Sequence, residues 1–152
     1  MTHFLAISNR DNSDVVTKKN IWGVPKRFIN QISKTKPGDS LIVYVGQQII
    51  DKETTLPPAL TGCFEIVSEV FEDDTEIFTS PAKLGNEIFP LRIKLSPKEI
   101  FDPELNFKQL IPHLEFITNK KQWSGHIRGQ AMRTIPDEDY EYIMKAANTP
   151  RD

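Results

Sequence analysis

The longest uninterrupted apolar run in the chain is Leu41-Ile42-Val43-Tyr44-Val45. It follows Lys36-Pro37-Gly38-Asp39, a turn sequence in which proline presets one backbone angle and glycine frees the next. Together they predict a strand from Ser40 to Gly46. A run this short lies far below the roughly 20 apolar residues of a membrane-crossing helix. The apolar stretch Phe4-Leu5-Ala6-Ile7 is too short for a signal-peptide core and has no basic region ahead of it. The one cysteine, Cys63, excludes an internal disulfide and a CxxC-type zinc site. At 152 residues the expectation is one soluble, cytoplasmic domain over residues 1–148 with a tail at 149–152.

The rest of the pattern is α+β, without repeats. His3 to Ser8 reads as a first strand. Asn12 or Ser13 can cap a helix from Asp14 to about Lys19, with acid in its first turn and lysines in its last. Ile21-Trp22-Gly23-Val24-Pro25 reads as a break, because the proline pushes Val24 into an extended conformation. Residues 59–70 read as a second long strand, with Gly62 marking a bulge or a close backbone approach. Ile88 to Leu95 reads as another strand, at an edge or bulged because of Pro90. Residues 107–112 read as a helical turn. A final helix starts at Pro136, with Tyr140, Ile143, Met144 and Ala147 on one face. Several strands and small helices at this length predict a compact, barrel-like sheet.

The net charge of −2 hides a strong polarity along the chain. Residues 15–38 hold Lys18, Lys19, Lys26, Arg27, Lys34 and Lys36 without an acid; residues 116–136 hold Lys120, Lys121, Arg128 and Arg133 without one. The remaining 107 residues hold 9 basic and 21 acidic side chains, a charge of −12. The two tryptophans, Trp22 and Trp123, fall one in each acid-free window. Aromatic platforms flanked by cations suit nucleic acid, because bases offer π faces and the backbone offers phosphates. Trp22, beside a break, is expected to be an exposed platform rather than a packing residue.

Catalytic constellations are thin. Cys63 lies in the apolar segment Thr61-Gly62-Cys63-Phe64 with no basic neighbour, which predicts a buried structural thiol. His3, His113 and His126 lack metal-ligand spacing. Trp123-Ser124-Gly125-His126 lacks the glycine that a nucleophile elbow places two residues before its serine. No metal or cofactor is expected.

Asn9-Arg10, Asn20-Ile21-Trp22-Gly23-Val24-Pro25-Lys26-Arg27, the Lys36-Pro37-Gly38-Asp39 turn and Pro136-Asp137-Glu138-Asp139-Tyr140 resemble an EVE domain, over essentially the whole chain. The resemblance implies the PUA-like fold, a small mixed β-barrel flanked by short helices. It also implies kinship with YTH readers of methylated adenine, and with it a pocket for a modified nucleobase. On that pattern Trp22 matches the first cage tryptophan. Residues 71–87, where YTH domains place another tryptophan, offer only Phe71 and Phe78. Phe78 closes the cage, or Trp123 does, or the pocket is more open; methyladenine, modified cytosine and other altered bases all stay open as ligands.

The expected function is therefore binding of a modified base in RNA or DNA, without catalysis. Trp22, Phe78 and Trp123 would supply aromatic walls, Asn9 and Ser124 would read the base edge, and Lys26, Arg27, Lys121 and Arg128 would hold phosphates. One alternative is an enzyme acting on a nucleotide or RNA through His113 or His126 with a carboxylate. The other is a methyl-lysine module, which the acid-free surroundings of both tryptophans disfavour.

Overall fold

The computed structural model describes residues 1–78 and 88–149. Two sequence expectations lie partly outside the described residues: the cage loop, from residue 79 onward, and the tail, from residue 150.

Strand β1 (His3–Ser8) leads into helix α1 (Arg10–Lys19), strand β2 (Ile21–Val24), a 3-10 turn at Lys26–Phe28 and the short helix α2 (Ile29–Ile32). Strand β3 (Ser40–Val45) follows, then a small hairpin of β4 (Gln48–Ile49) and β5 (Thr55–Leu56), and strand β6 (Ala59–Ile66). After β7 (Phe71–Glu72) come the 16-residue β8 (Leu91–Asn106), α3 (Phe107–Leu110), β9 (Met132–Ile135) and α4 (Asp137–Ala147). Among the described residues seven strands form one sheet in the order β2-β8-β6-β3-β1-β9, with β7 also paired to β8. Only the β1–β3 pairing within it is parallel. The sheet curls into a half-barrel flanked by four short helices, the α+β, PUA-like architecture.

Side chains alternate along each strand and so divide between two hydrophobic clusters. Phe4 and Ala6 of β1, and Leu41 and Val43 of β3, enter one cluster with Val16, Trp22, Val24, Phe64, Leu91 and Ile93. Leu5, Ile42 and Tyr44 enter the other, covered by Phe107, Leu110, Ile127 and Ile143. Gly62 makes the expected close approach: a Cβ there would sit 3.1 Å from the Glu99 carbonyl oxygen, beside a register shift between β6 and β8.

Four elements differ from the sequence reading. Strand β6 ends at Ile66 rather than at residue 70, where its pairing with β8 stops at Leu95. Helix α1 starts four residues early, because Asn9 rather than Asn12 or Ser13 caps it, its side chain accepting from the Asn12 N–H. The Trp22-Gly23-Val24 segment is not a break but strand β2, paired residue by residue with Ile93-Arg92-Leu91. Asn20, left-handed at φ 56°, turns the chain out of α1 and into that strand. Finally, β8 begins after Pro90 and continues past Leu95 to Asn106, because β6 pairs with it from Leu95 onward.

Candidate functional site

Trp22 sits on β2, the edge strand of the sheet. It is 2% exposed, so it is a core residue and not the exposed platform expected from sequence. The cause is pairing: β2 docks on β8 and turns Trp22 into the cluster that also holds Ile93. Its indole Nε1 is buried and has no hydrogen-bond partner among the described residues, an unmet donor in an apolar setting.

Phe78 is the aromatic residue that meets Trp22. The ring centroids are 6.2 Å apart at an interplanar angle of 74°, an edge-to-face contact, and Phe78 is half-buried. Its ring also packs against Phe89 at 5.6 Å. Gly23 leaves room for this arrangement, since a Cβ there would lie 2.9 Å from Phe78 Cε2, 3.1 Å from Arg92 Cγ and 3.3 Å from the Phe89 carbonyl oxygen.

Trp123 is not opposite Trp22. It is half-buried against the other cluster, with its ring 5.6 Å from that of Phe107. Ser124 lies beside it in a 3-10 turn, where its carbonyl accepts from the Ile127 and Arg128 N–H groups. The structure therefore joins Trp22 with Phe78 and puts Trp123 on the other face of the sheet. Asn9 is exposed; its side-chain oxygen is committed to capping α1. Lys26, Arg27, Lys121 and Arg128 are all exposed. Arg27 lies over the Phe28 ring at 4.4 Å.

Among the described residues neither His113 nor His126 forms an ion pair with a carboxylate. His113 stacks on Tyr142 at 4.8 Å, and His126 Nε2 accepts from the Asn119 N–H at 3.2 Å. The histidine that does meet a carboxylate is His3. Its Nε2 lies 3.4 Å from Asp137 and its Nδ1 2.5 Å from the Ser40 hydroxyl. Sequence spacing gives no hint of this group, which joins β1, β3 and α4. It resembles a hydrolytic triad in composition only, because Ser40 is 0% exposed and no substrate carbonyl can reach it. Tyr140 stacks on His3 at 3.7 Å and accepts from the Cys63 thiol at 3.9 Å. Burial raises the Cys63 pKa, as a structural thiol requires, and burial also pushes Tyr140 up to about 12. Among the described residues no three His, Cys, Asp or Glu side chains cluster to hold a metal ion.

Burial lowers the pKa of His3 below its ordinary 6.5 and outweighs the opposing pull of Asp137; Lys98 and the N-terminus push it down further, while Asp39 raises it slightly. The unfolded chain then binds the proton more readily than the folded one. The resulting stability is complete above about pH 6.5 and is lost as the pH falls from there toward the lowered folded value. Urea denaturation across that window should show wild type losing stability relative to His3→Gln. Parallel pH profiles for the two proteins would contradict this.

Comparison with known proteins shows the family and the fold. The family model described as EVE domain matches residues 2–146. A UPF0310 protein of Pyrococcus abyssi is 50% identical over 143 residues, covering 94% of this chain and 97% of the relative. One of Pyrococcus horikoshii is 45% identical over 145 residues, covering 95% and 98%. Among solved structures, human THYN1 in complex with 5-methylcytosine-containing DNA superposes with a TM-score of 0.65 at 13% identity, covering 99% of this chain and all of that one. The Pho92 YTH domain in complex with m6A gives 0.62 at 16% identity, covering 99% and 85%. At such identities the two superpositions speak for the fold, while the family match spans β1 through most of α4. From the capped turn at Asn9 to the helix that follows Pro136, the chain belongs to the EVE domain family.

Proposed function

We propose that this protein binds a modified nucleobase of RNA or DNA in a pocket walled by Trp22 and Phe78, and performs no chemistry on it. The observation that carries this reading is the Trp22–Phe78 pair at the sheet edge, with the buried indole N–H lacking a partner among the described residues. The fold supports it, being shared with a methylcytosine–DNA complex and a methyladenine complex.

The base leaves its stack at a cost of a few kcal/mol, less where the modification has already weakened its pairing. An edge-to-face contact at 74° does not leave a slot between parallel rings. Binding therefore turns Phe78, so that the base stacks between it and the indole. An acceptor on the base edge would satisfy Trp22 Nε1, and the exposed Asn9 amide can donate a further bond. A single methyl filling the apolar end contributes only ~0.8 kcal/mol, which predicts about fourfold preference for the modified base unless discrimination comes from polar groups as well.

Lys26 and Arg27 follow β2 directly and are exposed, as are Lys18 and Lys19 at the end of α1. They form the phosphate-binding face in this reading, with Lys121 and Arg128 as outlying contacts. Binding of single-stranded or locally opened oligonucleotides should then weaken with salt, with a slope corresponding to roughly 3–5 released counterions. An affinity that stays flat from low to physiological salt would remove the basic face from the model. The decisive experiment is a panel of modified and unmodified nucleosides and oligonucleotides read by calorimetry. Modified members should bind about fourfold or more above their parents, and failure of every member to bind would overturn the reading.

A further inference from the structure

Arg92 is 1% exposed, and it stands opposite Gly23 across the β2–β8 pairing. Its Nε donates to the Phe89 carbonyl at 2.9 Å, one terminal nitrogen donates to the Thr75 carbonyl, and the other lies 3.4 Å from the Asp73 carboxylate. The guanidinium carbon also lies 5.7 Å from the centroid of the Phe78 ring. One buried cation thus ties Asp73, Thr75 and Phe89 together around Phe78 and faces the ring itself. Gly23 permits this packing, since a Cβ there would crowd Arg92 Cγ at 3.1 Å.

A charge held this way acts differently from the acids nearby. Glu72, Asp74 and Glu76 are exposed, so water and salt screen them. The Asp73 carboxylate has 41% of its side chain exposed and is already engaged by the Thr75 N–H, the Thr75 hydroxyl and Arg92. Arg92 is out of water, so solvent screens its charge less than it screens theirs, and its one carboxylate partner among the described residues is the part-exposed Asp73. The electron-rich face of Phe78 is also already engaged by a cation, which leaves the ring a poorer partner for a second one.

We infer that Arg92 is a specificity-determining residue that restricts the Trp22–Phe78 pocket to uncharged bases. Neutral products of methylation, such as 5-methylcytosine or N6-methyladenine, are admitted. Their cationic isomers, 3-methylcytosine and 1-methyladenine, are turned away, as is a methylated lysine. The inference rests on the base-binding reading above and adds the charge class of the ligand.

Isomer pairs test it, because both members carry the same heavy atoms and differ at pH 7 in the methyl position and one bound proton. At pH 7, 5-methylcytidine should bind at least tenfold more tightly than 3-methylcytidine, and N6-methyladenosine at least tenfold more tightly than 1-methyladenosine. Raising the pH through the pKa of 3-methylcytosine makes that base neutral, and the cytidine gap should then shrink to about threefold. Arg92→Gln should shrink both gaps at pH 7, whereas a purely structural arginine would weaken both isomers together. If the variant does not fold, the pH series on the wild-type protein decides. A gap unchanged when the base is neutral, or a cationic isomer that binds as tightly as its partner, overturns the role of Arg92 and leaves the base pocket standing. Binding of neither isomer in either pair overturns the pocket itself, and this inference with it.

Discussion

Trp22→Ala is expected to lower the stability of the fold by ~3–5 kcal/mol, the range for truncating a core tryptophan. The residue is 2% exposed and packs in a cluster with Phe4, Val16, Leu41 and Ile93, so its loss opens a cavity that the rigid sheet cannot collapse into. Its indole N–H has no partner among the described residues, and a buried donor left that way would offset part of the packing gain, by about 1–3 kcal/mol. Trp22→Phe keeps a π face and removes the indole donor, so it should fold and still bind a base, though without any bond from Nε1. Urea midpoints for both variants, compared at constant m-value, give the answer. A loss below ~1 kcal/mol in Trp22→Ala would restore the surface platform that the sequence alone suggests.

That contrast marks where sequence reasoning ends. Gly23-Val24-Pro25 carries every local sign of a break, and a strand forms there because Leu91, Arg92 and Ile93 lie alongside, nearly 70 residues later. Local chemistry also permits three caps for α1. Asn12 and Ser13 are 4% and 5% exposed within the helix, which leaves Asn9 as the cap, and burial is not written in a run of polar residues. From Leu95 onward β8 contains Pro97 and Pro103, poor strand formers, and owes its strand character to its pairing with β6. By contrast β1, β3 and α4 were legible, because each is specified by its own apolar period or end signals. Trp22 and Trp123 share the same acid-free context, yet they pack in different clusters. Charge along a chain says nothing about which face of a sheet a segment docks on.

Phe78→Ala should separate the site from the core more sharply than any change at Trp22. The ring is half-buried and held at its margins by Phe89 at 5.6 Å, Arg92 at 5.7 Å and Trp22 at 6.2 Å. Its removal takes away only part of a side chain's burial, so the stability loss should be about 1 kcal/mol. Binding should suffer more, because one face of the stacked base loses its partner. Stacking is worth ~1–3 kcal/mol per base, roughly one to two decades in affinity. That loss should fall on modified and unmodified oligonucleotides unequally, reducing the preference for the modification. Lys26→Ala, which removes a phosphate contact, should weaken both about equally. Titrations of matched oligonucleotides into the two variants distinguish these signatures. Phe78 also occupies part of the space a base would take beside the indole, and this makes the opposite outcome informative. A Phe78→Ala protein that binds more tightly than the wild type would identify the ring as a plug the base must displace, and the second wall of the pocket would then have to come from another residue.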